Sequence, residues 1–123
     1  MSENGVGKMV VVCNHDDADS VMAALVMGAA IAATGDQPLM FFQPGAARAL
    51  IKGALEDFQE MPGMPDPLYL YEAIQMLDGR FILCELGLPN KGYTEEELRE
   101  GVEVMMASAF LYEVEDAKMA FSY

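Results

Sequence analysis

Short, unbroken apolar runs alternate with longer apolar or amphipathic segments along this chain. Lys8–Cys13 (KMVVVC) has no polar interruption after its lysine, the pattern of a strand buried on both faces, as in a parallel sheet. The polar turn Asn14-His15-Asp16-Asp17 follows. Asp16 or Asp17 can accept hydrogen bonds from the first free N–H groups of a helix, and Asp19 complements its positive end. That helix is predicted from about Ala18 to Thr34, with Gly35 just past its end. After Ser20 it reads VMAALVMGAAIAAT, without a charge. A helix apolar all round must be covered on more than one side, which makes the sheet one cover and a second subunit the expected other.

The same alternation continues. Gln37–Phe42 (QPLMFF) reads as a second strand with Pro38 at its start, where a missing N–H is tolerated. Pro44-Gly45 opens a short helix through Lys52, extending towards Phe58. Glu60–Pro67 (EMPGMPDP) is predicted as a loop, and its methionines suit a flexible lid or contact surface. Leu68–Leu77 is helical and closes at Asp78-Gly79; Arg80–Cys84 (RFILC) is a third strand; Leu86–Gly92 is a loop. Thr94 caps a short acidic helix with Glu97 at the capping-box position. Val102–Met106 reads as a strand in preference to a tight turn, Ser108–Asp116 as a helix, and Lys118–Ser122 as a last strand. This order argues for an α/β fold, a parallel sheet with helices on both faces. Ligands in such folds sit beyond the carboxyl ends of the strands. The rule selects Cys13-Asn14-His15-Asp16 after the first strand and Cys84-Glu85-Leu86-Gly87 after the third.

Composition narrows the classes. The 123 residues are the length of one domain, 1–123, with residues 1–7 expected as a flexible lead-in. A hydrophobic share of 53% excludes disorder as the main state. Seven basic against twenty acidic residues give a net charge of −13, so nucleic acid and anionic membrane surfaces are poor partners. The first charge is Glu3 and Met9–Cys13 is short, so no secretory leader is expected. The longest apolar run, Val21–Ala33, falls short of the roughly twenty residues of a membrane span. The expectation is a cytoplasmic protein with reduced thiols.

Cys84 is the first candidate for chemistry: a thiol at a strand end opening into a glycine-containing loop. Strand alternation would turn the adjacent Glu85 to the other face. Against this stands the plain alternative of a small apolar residue finishing a buried strand. Cys13 holds the equivalent position on the first strand. Were the two strands neighbours, the thiols could share a pocket, pass sulfur or form a reversible disulfide. His15 is the only histidine and is able to move a proton near neutral pH, with a surface turn as its simpler role. A Cys13–His15–Cys84 metal site lacks the usual ligand spacing, so no metal is expected. Neither phosphate-binding glycine motif follows the first strand, so no nucleotide cofactor is expected.

Taken together, KMVVVCNHDDADS, the alanine-rich VMAALVMGAAIAATG, LMFFQPGA, RFILCELGL and the tail EEELREGVEVMMASAFLYEVEDAKMAFS resemble the DsrE/DsrF-like (YchN-like) family, which includes sulfur-relay sulfurtransferase subunits. The resemblance spans nearly the whole chain. It implies a three-layer α/β/α domain on a five-stranded parallel sheet, and homo-oligomers, trimers or hexamers. In the relay members a strand-end cysteine carries sulfur as a persulfide, and Cys84 matches that position. The relay subunits follow their cysteine with small residues and an arginine pair, whereas here Glu85, Leu86 and Gly87 follow and the nearest downstream cation is Lys91.

Three functions therefore stand side by side. In the first, Cys84 carries sulfur between a donor and an acceptor protein, in a pocket formed with Cys13, Asn14, His15, Glu85 and Gly87. In the second, the protein is a non-catalytic oligomeric module that binds a small ligand or a partner protein. In the third, Cys13 and Cys84 are a thiol-redox pair.

Overall fold

A computed structural model describes residues 7–123. Its strands are β1 (Lys8–Cys13), β2 (Gln37–Phe42), β3 (Arg80–Cys84), β4 (Val102–Met105) and β5 (Met119–Ser122). Its α-helices are α1 (Ala18–Ala33), α2 (Pro67–Met76), α3 (Gly87–Lys91) and α4 (Ala107–Glu113). All strand pairs are parallel, in the order β4-β3-β2-β1-β5.

The order dictates where the helices go. Passing from β1 through β2 and β3 to β4 moves in one direction across the sheet, and right-handed crossovers then all lie on one face. The step from β4 to β5 runs back to the far edge, so its crossover must use the opposite face. Accordingly α1, α2 and the connection between β2 and α2 pack with Val11, Cys13, Met40, Phe42, Phe81 and Leu83 on the first face. On the second face Phe110 of α4 packs with Val10, Leu39, Phe41, Ile82 and Cys84. The result is three layers, one thick and one thin.

The first face holds most of the core. Phe42, Phe81, Met22, Leu25 and Met40 are fully buried there, each contributing about 1.5–3 kcal/mol relative to exposure. Gly28 lets α1 approach: a Cβ at that position would lie 2.6 Å from the Met40 sulfur and 2.9 Å from Ile74 Cδ1. The outer side of α1, with Val26 and Ala30, stays open to solvent within the single chain. Asp17 caps α1, its carboxylate accepting from Ser20 N–H at 3.1 Å, and Asp66 caps α2 by accepting from Leu68 N–H at 2.9 Å.

Most predicted elements form within a residue or two of their expected ends. Three stretches differ, and α4 stops at Glu113, three residues short of its expected end at Asp116. Residues 44–58 make two 3-10 segments, Pro44–Leu50 and Leu55–Phe58, not a continuous helix. The small alanines of the first are buried tightly, and Gly53, at φ 87°, separates the two. The expected loop Leu86–Gly92 contains α3, which Gly92 ends at φ 76°. The acidic helix after Thr94 shortens to a single 3-10 turn, Glu95–Glu97, although its capping box is present. The flexible lead-in of residues 1–7 falls mostly outside the described residues. Gly7 itself is fixed: its N–H donates to Asp36 Oδ1 at 3.1 Å and its carbonyl accepts from Gln37 N–H at 2.7 Å.

Candidate functional site

The crossovers fix where a ligand crevice would open. The chain leaving β3 turns to the first face and the chain leaving β4 turns to the second, so the parting lies between the carboxyl ends of these neighbouring strands. Cys84 and Met105 are register partners there, and Glu85 N–H donates to the Met105 carbonyl at 3.0 Å. Strand position thus brings Cys84 to the place in the fold where α/β domains bind ligands.

Burial then limits what the thiol can do. Cys84 is 4% exposed, packed on the second face with Val10, Leu39, Phe41, Ile82 and Phe110. Phe110 closes the cluster by stacking on Phe41 with ring centroids 4.1 Å apart. Glu85 and Leu86 are exposed beyond the strand, with Leu86 61% exposed. Gly87 is buried and serves packing: a Cβ there would lie 3.0 Å from Leu83 Cδ1 and 3.2 Å from Ala47 Cβ on the first face.

Cys13 belongs to a different environment. It is fully buried on the first face, and its thiol donates to the His15 carbonyl at 3.3 Å. Burial pushes the Cys13 thiol up from its ordinary pKa, against the lowering effect of that hydrogen bond, and the Asp17 and Asp16 charges push it further up. Asn14 ties three strand ends together. Its N–H donates to Tyr123 O at 2.9 Å, and its side-chain oxygen accepts from Gly45 N–H at 3.0 Å. Gly45 is required by that approach, since a Cβ would lie 2.1 Å from the Asn14 carbonyl oxygen. His15 is exposed on the turn. Asp16 pairs with Arg48 at 3.4 Å, and Arg48 also reaches Asp57 at 3.4 Å.

The pairing of Cys13 with Cys84 is therefore corrected. Strand β2 lies between β1 and β3, a separation of about 10 Å at ordinary strand spacing, beyond the roughly 7 Å Cα limit for a disulfide. The two side chains also pack on opposite faces of the sheet. A pocket shared by these thiols, and a metal site joining them to His15, lose their geometric basis for the same reason.

Two features of the second face escape a reading of strand ends alone. Phe110 is the lid of the Cys84 cluster, and it is the sole buried residue of α4. Arg80, at the far end of β3, forms a bidentate pair with Glu103 at 2.9 and 2.7 Å and reaches Glu113 of α4 at 2.7 Å. These bonds, Glu103 first, raise the Arg80 pKa, and the Arg80 bonds hold the Glu103 carboxyl below its usual range. Phe110 and Arg80's acidic partners were visible in the sequence, but the crossover from β4 to β5 that places Phe110 in the Cys84 cluster and Glu113 beside Arg80 was not. Away from the strand ends, a groove of about 320 Å³ lies on α2, lined by Tyr69, Glu72, Ala73, Met76 and Leu77.

Fold and crossover placement define a doubly wound parallel α/β domain with a five-stranded sheet. Neither a family profile nor a curated protein sequence matches the chain. Solved structures do match it. The ychN protein from E. coli superposes with a TM-score of 0.76 at 17% identity, covering 95% of this chain and 99% of that one. MTH1491 from Methanobacterium thermoautotrophicum, a protein of unknown function, superposes with a TM-score of 0.74 at 14% identity and the same coverages. The chain thus has the DsrE-like fold of YchN. Among the described residues no helix is long and apolar enough to cross a membrane.

Proposed function

We propose that this protein is a non-catalytic binding module that works as a homo-oligomer. The observation that carries the reading is the 4% exposure of Cys84 in the apolar cluster it shares with Phe110. A nucleophilic thiol needs access as well as thiolate, and burial withholds access here. Cys13 offers no substitute, being fully buried with its pKa raised by that burial.

The binding surface in this reading is the outer side of the thick layer. Alpha helix α1 has no charge from Val21 to Thr34, and Val26, Tyr69, Met76 and Leu77 are exposed on α1 and at α2. A chain of net charge −13 repels its own copies over most of its surface, so an uncharged apolar face is where a second copy can approach. The expected assembly is a trimer or hexamer in the cytoplasm, with α1 against α1 or α2 of the next subunit. Light scattering on the eluting protein tests it. A mass of three or six chains, falling to one chain in Val26→Glu, supports the reading, and a single-chain mass at all concentrations overturns it.

One observation favours a second reading, persulfide carriage: Cys84 ends β3 at the parting of the crossovers. The thiolate would attack the outer sulfur of a persulfide donor, forming a sulfur–sulfur bond at Cys84 and releasing the donor as its thiolate, with no net oxidation. A gain of one sulfur in the mass of the Cys84 peptide after exposure to a persulfide donor, absent in Cys84→Ser, would favour this over the module.

A further inference from the structure

We propose that α4 and its flanks are a latched cover over the second face of the sheet, and that opening the latch uncovers Cys84 without unfolding the domain. The inference goes beyond the module reading and holds whether or not the chain self-associates.

The cover is a strap fastened at two ends. It leaves β4 after Met105, crosses the face and rejoins the sheet as β5 at the opposite edge. Between those ends α4 has seven residues, too few to be a stable helix alone, and no side chain caps its first turn. Only Phe110 is buried; Ala107, Ser108, Ala109, Leu111 and Tyr112 are exposed.

Few contacts close it, and they are of two kinds. The apolar contact is Phe110 stacked on Phe41, with Val114 and Ala117 packed beside the cluster. The polar contacts converge on Glu113. Its carboxylate accepts from Arg80 Nη1 at 2.7 Å and its carbonyl accepts from Lys8 Nζ at 2.8 Å. Lys8 also pairs with Asp116 at 3.5 Å. Segments held by few buried apolar contacts and by exposed polar bonds open at lower free energy than the whole domain. Arg80 keeps its bidentate bond to Glu103 when Glu113 is released, so β3 and β4 stay joined while the strap lifts. What the strap hides is the strip Val10, Leu39, Phe41, Ile82 and Cys84.

The two cysteines make the test internal. Native protein is treated with N-ethylmaleimide, and labelling of the Cys84 and Cys13 peptides is followed by mass spectrometry. Glu113→Gln removes the carboxylate with little change of shape and is expected to speed Cys84 labelling about two- to fivefold. Phe110→Ala is expected to speed it about a hundredfold or more. Cys13, on the opposite face behind α1, is reached only by global unfolding and labels more slowly than Cys84 in the wild type and in both variants. Equal labelling rates at the two cysteines would mean that both are exposed by global unfolding and overturn the proposal, as does a Cys84 rate unmoved by Glu113→Gln. Should Phe110→Ala fail to fold, Glu113→Gln decides alone, with circular dichroism confirming its native fold. A single-chain mass in light scattering would sink the oligomeric module and leave this result standing.

Discussion

The two faces of one sheet are built on different terms. The first is closed by α1, α2 and two 3-10 segments, with Phe81, Phe42, Met40 and Leu83 sealed among helix side chains. The second is closed by the seven residues of α4 with one buried ring and by the flanking Val114 and Ala117, held by ion pairs around Arg80 and Glu113. Each face has a cysteine at the carboxyl end of a strand, so similar strand positions give two unlike thiols. Cys13 belongs to the core beneath a 16-residue helix, whereas Cys84 belongs to a small cluster whose one residue from α4 is Phe110. Strand position alone does not make a cysteine chemical; the layer that covers it decides.

The largest effect should come from emptying the thick face. Phe81→Ala, at a position with no exposure between Tyr71 and Phe42, is expected to cost about 3–5 kcal/mol in urea unfolding. Next comes overpacking: Gly28→Val pushes α1 off Met40 and Ile74 and should cost about 1–3 kcal/mol by the same measurement. On the thin face, Arg80→Met removes a half-exposed clamp and should cost about 1 kcal/mol. A loss at Arg80 as large as that at Phe81 would erase the distinction between the faces.

Acid and alkali sharpen the comparison from opposite sides. Tyr71, buried beside Phe81 with its hydroxyl donating to Glu100 O, is pushed up to about 12 by burial. Cys13 is raised by burial too. Both folded-state pKa values exceed the unfolded ones, 10.0 and 9.0, so the stability they contribute is complete below pH 9 and is lost as pH rises towards 12. Glu103 is held low by Arg80, and Asp36 is held low by Lys118. Their stability is present above the unfolded values of 4.5 and 3.8 and is lost as pH falls below them. Urea midpoints at pH 3.5, 7 and 11 check both limbs. Tyr71→Phe should flatten the alkaline limb, and Glu103→Gln the acid one.

Much of this was legible in the sequence. The β-branched run Lys8–Cys13, the uncharged helix after Asp17 and the strand RFILC announced a parallel sheet, because burial on both faces demands continuous apolar runs. The Pro44–Phe58 stretch was less so: its closely packed alanines adopt 3-10 turns under tertiary constraint, which local propensity does not encode. The site was only half visible. That Cys84 ends a strand could be read from the sequence. That β2 lies between its strand and that of Cys13, and that Phe110 comes back over it from residue separation 26, depends on the long crossover from β4 to β5.

Hydrogen exchange on the native protein tests the inequality of the two faces most directly. Amides of Ala107–Glu113 are expected to exchange through local opening, far ahead of those in the buried turns of Ala18–Ala33, which exchange only with global unfolding. Equal protection of the two helices would contradict it.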